Sequence, residues 1–400
     1  MNAPTVVKPA KQAYVVLLAG IVLNLILGVL YAWSIFSQAL IEQWEWTSSQ
    51  ASMPYTLAVG CFALGVLVAG RLQDRFGPRP IAMLGGLMAG SGVLAASFAT
   101  PTSTLPAIVG FGVLGGLGIG FGYAAATPAA VKWFDASKKG LITGVVVSGF
   151  GLASIYIAPL TAFLIEQYDI VLTFRILGVA FMGVATLCGF LLQNPAEVGV
   201  GTQANLTTGH SLKDMVSTVR FYQMWVAFAC AAFAGLMIIG VMASVTAVQV
   251  PGANLGFLLV AALAIGNAAG RLIAGALLDT IGATRTMLIA FIGQAIAMCV
   301  LGFVGALAPL VVLAVFIGAL YGANLAIFPA LTATHFGTAT LGTNYGVMFT
   351  AYGAGGIFGS LVAGALFDLT GSFQPAFYVA AGLCIVAAIL APFAGKRIAV

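Results

Sequence analysis

Long apolar stretches recur along the whole chain, and they constrain the fold more than any other feature of the sequence. A helix that crosses a bilayer needs about 20 apolar residues, because the hydrocarbon core is about 30 Å thick and the backbone must satisfy its own hydrogen bonds there. The stretches that qualify are predicted near Ala13 to Gln38, Ser49 to Leu72, Pro80 to Phe98, Leu105 to Trp133, Gly140 to Ile165, Val171 to Leu192, Phe221 to Val248, Leu255 to Leu278, Thr286 to Ala306, Pro309 to Thr334, Gly342 to Phe367 and Pro375 to Gly395. The sequence therefore predicts an all-α membrane protein with twelve transmembrane helices.

The composition excludes a soluble fold. Of the 400 residues, 61% are hydrophobic and only 6% are charged, whereas a soluble chain carries about 25% charged residues to solvate its surface. The 51 glycines lie inside apolar runs, and the five cysteines show neither a CxxC motif nor metal-ligand spacing. We expect no metal and no cofactor. No cleavable signal peptide is apparent, so the first apolar stretch is predicted to be the first span.

Basic residues predict the orientation, because Lys and Arg accumulate in cytoplasmic loops. If the chain starts inside, the cytoplasmic segments contain every Lys and Arg except Arg175 and Arg271. These bases are Lys8, Lys11, Arg71, Arg75, Arg79, Lys132, Lys138, Lys139, Lys213, Arg220, Arg285, Lys396 and Arg397. Both termini are therefore predicted to be cytoplasmic, in a multi-pass protein of the cell (inner) membrane. The net charge of +5 follows from this bias, so it does not indicate a nucleic-acid partner.

The chain is predicted to consist of two pseudo-symmetric halves. The longest polar connection, residues 193–218, lies at the midpoint and separates a six-helix half at 1–192 from one at 219–400. The segment that begins at Gly144 is echoed from Gly346, and G-R-L-Q-D-R-F-G from Gly70 is echoed by G-A-L-L-D-T-I-G from Gly275. Two parallel copies of a six-helix unit are typical of alternating-access carriers.

The cytoplasmic loop after the second span resembles the loop motif of the major facilitator superfamily. The residues that carry the resemblance, with the echo in the second half, are Gly70, Asp74, Arg75, Gly77, Arg79 and Asp279. The resemblance implies that Asp74 helps to latch the two halves on the cytoplasmic side. An ordinary positively charged inside loop is the alternative.

A narrower resemblance covers most of the chain. Tyr31 and Trp33 in the first span, W-F-D-A-S-K-K-G-L from Trp133, N-A-A-G-R ending at Arg271 and N-Y-G from Asn344 together resemble the oxalate/formate antiporter and monocarboxylate carrier group. Where the antiporter has a second buried base on helix eleven, this chain has Tyr352. The Lys and Asp of the proton-coupled lactate carriers correspond here to Ile35 and Asn267, so their proton relay is not expected.

Arg271 is the one charge predicted deep inside a span. It lies eight residues before Asp279, which places it about 12 Å from the cytoplasmic helix end, where a charge costs at least ~2.5 kcal/mol. The sequence has no acidic residue at that depth to pair with Arg271. We interpret its counter-ion as the carboxylate of the substrate, which a guanidinium binds with two parallel donors. Alternatively, Arg271 snorkels to the surface or bonds backbone carbonyls. Asn267, one turn earlier, either donates to the anion or fixes the guanidinium.

Aromatic residues and one further amide are the candidates for the rest of the cavity. They are Tyr31, Tyr123, Phe150, Tyr321, Phe349, Tyr352 and Asn324. For each of them a packing role is equally compatible with the sequence, and the resemblance to the carrier group favours Tyr31, Tyr123 and Tyr352. Tyr31 is expected in the outer half of the membrane and Arg271 in the inner half, so their meeting requires helix tilt.

The sequence thus predicts a monomeric secondary transporter of small monocarboxylates such as lactate, pyruvate, formate or acetate, and not an enzyme. With no acid at depth, transport is either proton symport or anion exchange, including exchange of a dicarboxylate for formate. Drug efflux would require an intramembrane acid, and a sensor would require an output domain. His210 and His335 lie at or beyond predicted helix ends, where histidine is commonly solvated or capping, and receive no role.

Overall fold

The chain folds into a bundle of helices. The computed structural model describes residues 11–134, 139–195, 211–252, 255–337 and 341–395, and within them twelve helices are long and apolar enough to cross a membrane. They are α1 (Lys11–Trp44), α2 (Ser48–Gln73), α3 (Pro78–Ala96), α4 (Leu105–Val131), α5 (Ile142–Gln167), α6 (Ile170–Leu191), α7 (Val219–Gln249), α8 (Gly256–Ile281), α9 (Ala283–Leu301), α10 (Leu307–Phe336), α11 (Thr343–Thr370) and α12 (Gln374–Gly395). The predicted fold class is confirmed.

The first span differs most from its predicted boundaries. The prediction ended it at the polar Gln38, whereas the helix continues to Trp44 and ends where Glu45 adopts a left-handed conformation with φ of 57°. A 3₁₀ turn, Gly28–Ala32, interrupts it midway. This turn lies against α5, since a methyl group at Gly28 would be 2.5 Å from the backbone oxygen of Phe150.

Two further spans are interrupted. The break in α5 lies near its middle, between Leu152 and Ser154, and the break in α11 lies near its beginning, between Met348 and Thr350. Together with the turn in α1, these interruptions adjoin Phe150, Phe349 and Tyr31, three of the residues predicted to line the site. Irregular backbone inside a membrane protein is tolerated where it is buried in protein or lines a cavity.

Glycine on one helix faces backbone on the next throughout the bundle. On α4, methyl groups at Gly112 and Gly116 would lie 3.1 Å and 2.5 Å from backbone oxygens of α2, and one at Gly118 would meet the backbone of α3. The dense glycines of α4 therefore serve close helix packing.

The pair α8 and α10 shows the closest approach. Methyl groups at Gly266 and Gly270 would overlap the backbone of α10. Methyl groups at Gly318 and Gly322 would overlap the backbone of α8, including the carbonyl group of Asn267. Small residues four apart on both helices thus bring the two backbones into contact, and they fix the helix that carries Arg271.

Helices from the two ends of the sequence also pack against each other. Along α2 and α11, a methyl group at Gly60 would lie 2.7 Å from Ile357, and one at Gly353 would lie 2.7 Å from Ala63. The division at residues 193–218 stays a prediction, and residues 196–210 of that linker lie outside the described part of the chain. The orientation stays a prediction too, because Lys8, Lys138, Lys396 and Arg397, among the bases it rests on, lie outside as well.

The predicted gating motif forms matching turns in both halves. Gly77 and Gly282 have φ of 81° and 82°, respectively, a conformation that favours glycine, and each precedes the next membrane helix. Arg75 is exposed over the ring of Phe76. Nη2 of Arg79 donates to Oε1 of Gln193 at 3.0 Å.

The latch itself is not described. The side chain of Asp74 lies outside the described residues, so its role stays a prediction. Gly70 faces open space. Asp279 is exposed at the end of α8, beside a cavity that Arg285 and His335 also line.

His335 corrects one expectation. It is only 6% exposed, its Nδ1 pairs with Nη1 of Arg220 at 3.1 Å, and its Nε2 lies 3.0 Å from the backbone oxygen of Ala394. The solvated alternative was wrong, because α7 and α12 close over the end of α10, whereas the bond to Ala394 in the last turn of α12 agrees with the capping alternative. His210 lies outside the described residues.

Candidate substrate site

Arg271 lies on α8 and reaches across to α5. Its Nε donates to Oδ1 of Asn267 at 2.9 Å, and its Nη1 donates to the backbone oxygen of Val147 at 2.9 Å. The guanidinium rests against Gly151, where an added methyl group would lie 3.4 Å from Nη2. Val147 and Gly151 share one helix face, being four residues apart. Both hydrogen-bond partners of Arg271 that the structure describes are neutral.

Two N–H donors at this site have no hydrogen-bond partner among the described residues. They are Nη2 of Arg271 and Nδ2 of Asn267, and both atoms are buried. Leaving a buried donor unpaired costs about 1–3 kcal/mol, and more for a charged group. The Nε bond holds the two side chains together, so their free donors belong to adjacent groups. A carboxylate has two oxygens that accept such bonds.

Both interpretations of Arg271 find support in these contacts. Nη1 bonds a backbone carbonyl, as the structural interpretation requires, but Nη2 does not. The bond from Nε to Oδ1 of Asn267 shows that this amide fixes the guanidinium, while its Nδ2 remains free to donate to a ligand. The geometry therefore leaves one of the three guanidinium nitrogens, Nη2, available to a ligand.

Three tyrosine hydroxyl groups meet between helices α1, α10 and α11. The hydroxyl of Tyr31 lies 3.1 Å from that of Tyr321 and 3.1 Å from that of Tyr352. All three side chains are buried. We call these residues the tyrosine triad. It joins the first and second halves of the sequence by hydrogen bonds between neutral groups, each able to donate and to accept.

Further aromatic rings surround the triad. The ring of Phe150 lies edge-on to Tyr31 with centroids 5.0 Å apart and contacts Tyr123 at 5.3 Å. The ring of Phe349 stacks on Tyr352 at 4.6 Å. The structure thus brings together all six aromatic residues predicted for the cavity, although such contacts alone do not separate a lining role from packing.

Phe62 was missed by the sequence analysis. Its ring on α2 lies 5.4 to 5.7 Å from the rings of Tyr123, Phe150, Phe349 and Tyr352. Phe62 is a lone aromatic residue among small residues in the middle of a span, which is the signal that could have revealed it. We call Phe62, together with Tyr31, Tyr123, Phe150, Phe349 and Tyr352, the aromatic cluster.

The aromatic cluster and Arg271 are adjacent through α5. Phe150, which contacts Tyr31, is followed directly by Gly151, against which the guanidinium rests. Consecutive Cα atoms are about 3.8 Å apart, so the inner-half Arg271 and the outer-half Tyr31 do approach one another. The ring of Tyr345 also belongs to this region, with its centroid 5.7 Å from that of Phe349. Tyr345 belongs to the N-Y-G motif but was not predicted as a site residue.

Asn324 lies one turn after Tyr321 on α10. It is 2% exposed, and its Oδ1 is buried without a partner within the described residues. An unpaired buried acceptor is available to a hydroxyl or a protonated group of a ligand. In the part of the chain that the structure describes, no three His, Cys, Asp or Glu side chains are placed to hold a metal ion.

Comparison with known sequences places the whole chain in one family of transporters. The family model described as Major Facilitator Superfamily matches residues 16–263 and 224–397. An uncharacterised transporter of the same type from Escherichia coli (strain K12), YhjX, is 29% identical, with 87% of this chain and 86% of YhjX covered.

Two other similar proteins have names that state a cargo. The oxalate:formate antiporter of Oxalobacter formigenes is 27% identical, with 96% of this chain and 91% of the antiporter covered. Human monocarboxylate transporter 12 is 35% identical over a shorter region, which covers 33% of this chain and 24% of that protein.

Proposed function

The chain belongs to the major facilitator superfamily, and from that premise we propose that it is a secondary transporter of small monocarboxylates. It is a multi-pass membrane transporter and not an enzyme. The proposed cargo is a lactate, pyruvate, formate or acetate type of anion, carried by alternating access. The proposal extends to a monomer in the inner membrane with both termini in the cytoplasm, as the loop charges predict.

The pair of buried, unpaired donors on Arg271 and Asn267 carries this proposal. A cation at membrane depth whose described partners are neutral has a strong free-energy reason to attract an anion. A carboxylate accepts from Nη2 and Nδ2 without breaking the Nε bond that orients them. In a site shielded from water this charge-assisted pairing is stronger than on an exposed surface.

The neutral tyrosine triad supports one carboxylate over two. A second anionic group near Tyr31, Tyr321 and Tyr352 would face hydroxyls but no cation, whereas a methyl or hydroxyl group fits beside the rings. The name of the antiporter states oxalate, which has two carboxylates, and formate, which has one, and the name of the human transporter states monocarboxylates. Both names support a small carboxylate as the class of substrate.

Binding is proposed to alter the contact between the halves. In the observed state Nη1 of Arg271 bonds the backbone of α5 at Val147. A bound carboxylate neutralises the guanidinium, which favours closure around the loaded site. Rocking of the halves then exposes the site to each side in turn.

Anion exchange is the second candidate function, and similarity to an antiporter over 96% of this chain favours it. The alternative within the first proposal is proton symport, in which the substrate brings the proton. Drug efflux has no support at the site, where the charge is positive.

Uptake by reconstituted protein distinguishes these mechanisms. We expect liposomes that contain the protein to accumulate labelled lactate or formate to a saturable level. An acidic exterior should stimulate uptake several-fold if transport is symport, and internal unlabelled formate or oxalate should stimulate it if transport is exchange. Empty liposomes are the control. Absence of carboxylate uptake under both gradients would overturn the proposal.

A further inference from the structure

Asp368, in the last turn of α11, bonds the beginning of α2. Its Oδ1 accepts from the backbone N–H of Ser48 and its Oδ2 from that of Ser49, both at 2.9 Å. The two helices are in close contact here, since a methyl group at Gly364 would lie 3.0 Å from the Cα of Ser49. A single carboxylate therefore connects residues that are 320 and 319 positions apart.

These bonds complete the cap of α2. A helix begins with N–H groups that have no partner inside the helix. Two of the four are satisfied locally, since the hydroxyl of Thr47 accepts from the N–H of Gln50 and Oε1 of Gln50 accepts from the N–H of Thr47. The remaining two, on Ser48 and Ser49, depend on Asp368 from the distant helix. The start of α2 is thus fully capped only while α11 stays against it.

The position of Asp368 is unfavourable for its own helix. Acidic side chains are disfavoured in the last turn, where the helix dipole is negative, and favoured at the beginning of a helix, where it is positive. Asp368 lies two residues before the end of α11 at Thr370. Its carboxylate gains its stabilisation from the first turn of α2, so this contact gives a physical reason for an acid at this place.

We propose that Asp368 is the latch that holds the transporter closed on the face opposite the chain termini, the outer face in the proposed orientation. This inference rests on the proposed function, because a latch requires halves that part on that face. Both capped residues and Asp368 lie near the helix ends, where water can replace the bonds when α2 and α11 separate. The latch is therefore strong enough to bias the closed state and weak enough to open in each cycle.

Cysteine labelling tests the latch without any substrate. Ser52 is 3% exposed. It lies seven residues before Val59, which is next to Gly356 of α11. Ser52 and Val59 are therefore on the face of α2 that packs against α11. In full-length protein with its native cysteines replaced, Ser52→Cys should react slowly with a membrane-impermeant maleimide. We expect Asp368→Asn to raise the labelling rate about tenfold, since an amide has one acceptor oxygen in place of two and carries no charge to interact with the helix dipole. Asp368→Glu should retain most of the latch.

Asp169→Asn is the matched control. Asp169 caps the beginning of α6 on the same face, through the N–H of Leu172, but within its own half. The Asp169→Asn substitution should leave the labelling rate at Ser52→Cys unchanged. A parallel Asp368→Asn variant keeps Cys384 as its only cysteine, and this side chain is fully buried in α12. If Cys384 stays unlabelled, Asp368→Asn is folded.

Two outcomes would overturn the latch. Labelling at Ser52→Cys could be equally slow with Asp368→Asn in folded protein, or it could rise as much with Asp169→Asn. Neither outcome bears on the cargo, which lactate or formate uptake by the same preparations measures independently.

Discussion

Arg271 is held by two neutral groups that use only part of its hydrogen-bonding capacity. Nε and Nη1 are bonded to Asn267 and Val147, and Nη2 is buried without a described partner. A purely structural arginine at this depth would be expected to find an acceptor for every buried donor, because an unpaired one is costly. The arrangement is that of a binding group that is positioned but not saturated.

Replacement of Asn267 by aspartate tests this interpretation. In Asn267→Asp the new carboxylate forms an ion pair with Arg271 and competes with the substrate, so we expect lactate or formate to bind at least tenfold more weakly at pH 7. Titration calorimetry measures the change. Asn267→Ala, which removes the amide without adding charge, should weaken binding less, and wild-type affinity in Asn267→Asp would contradict the assignment.

The sequence located Arg271 and Asn267 because depth and helical spacing are local properties. Phe62 and Tyr345 were missed, since their importance follows from which helices meet and not from their own surroundings in the chain. His335 was misjudged for the same reason. Asp368 was not singled out, because its partners, Ser48 and Ser49, are more than 300 residues away.

Helix packing decides where the site residues stand. The backbones of α8 and α10 touch at glycines on both helices, and one of these contacts is with the backbone of Asn267 itself. Asn324 and Tyr321 lie on α10, and Arg271 lies on α8. The distance from Arg271 to the other two side chains therefore depends on the glycine contact between α8 and α10. The sequence places the glycines inside apolar runs, but it could not show which helix each glycine faces.

Gly270 and Gly275, on the same helix, provide a matched pair of substitutions. A methyl group at Gly270 would overlap the backbone of α10, whereas Gly275 has nothing within 4 Å. We expect Gly270→Ala to lower the melting temperature of the purified protein, in line with an overpacking cost of about 1–3 kcal/mol. Gly275→Ala should be neutral or slightly stabilising. Equal melting temperatures for the two variants would contradict the packing described.

Three sets of contacts join the two ends of the sequence in the whole molecule. Arg271 bonds α5, the tyrosine triad bonds α1 to α10 and α11, and Asp368 bonds the start of α2. All of them use hydrogen bonds that can be exchanged for water or substrate. The repeated sequence predicted two similar halves, but the buried cation, Arg271, belongs to the second half alone, because the aligned position of the first half is Val66.

The central claim is that Arg271 binds the carboxylate of the substrate. Its most direct test is the melting temperature of purified protein with and without saturating formate, acetate, lactate or pyruvate, because a ligand that binds the folded state stabilises it by RT ln(1 + [L]/Kd). We expect stabilisation of the wild type and of Arg175→Gln, a control at an exposed arginine. Arg271→Lys, whose ammonium cannot bond Asn267 and Val147 and at the same time present a donor in the place of Nη2, should show little or none. Equal stabilisation of Arg271→Lys and the wild type would contradict the claim.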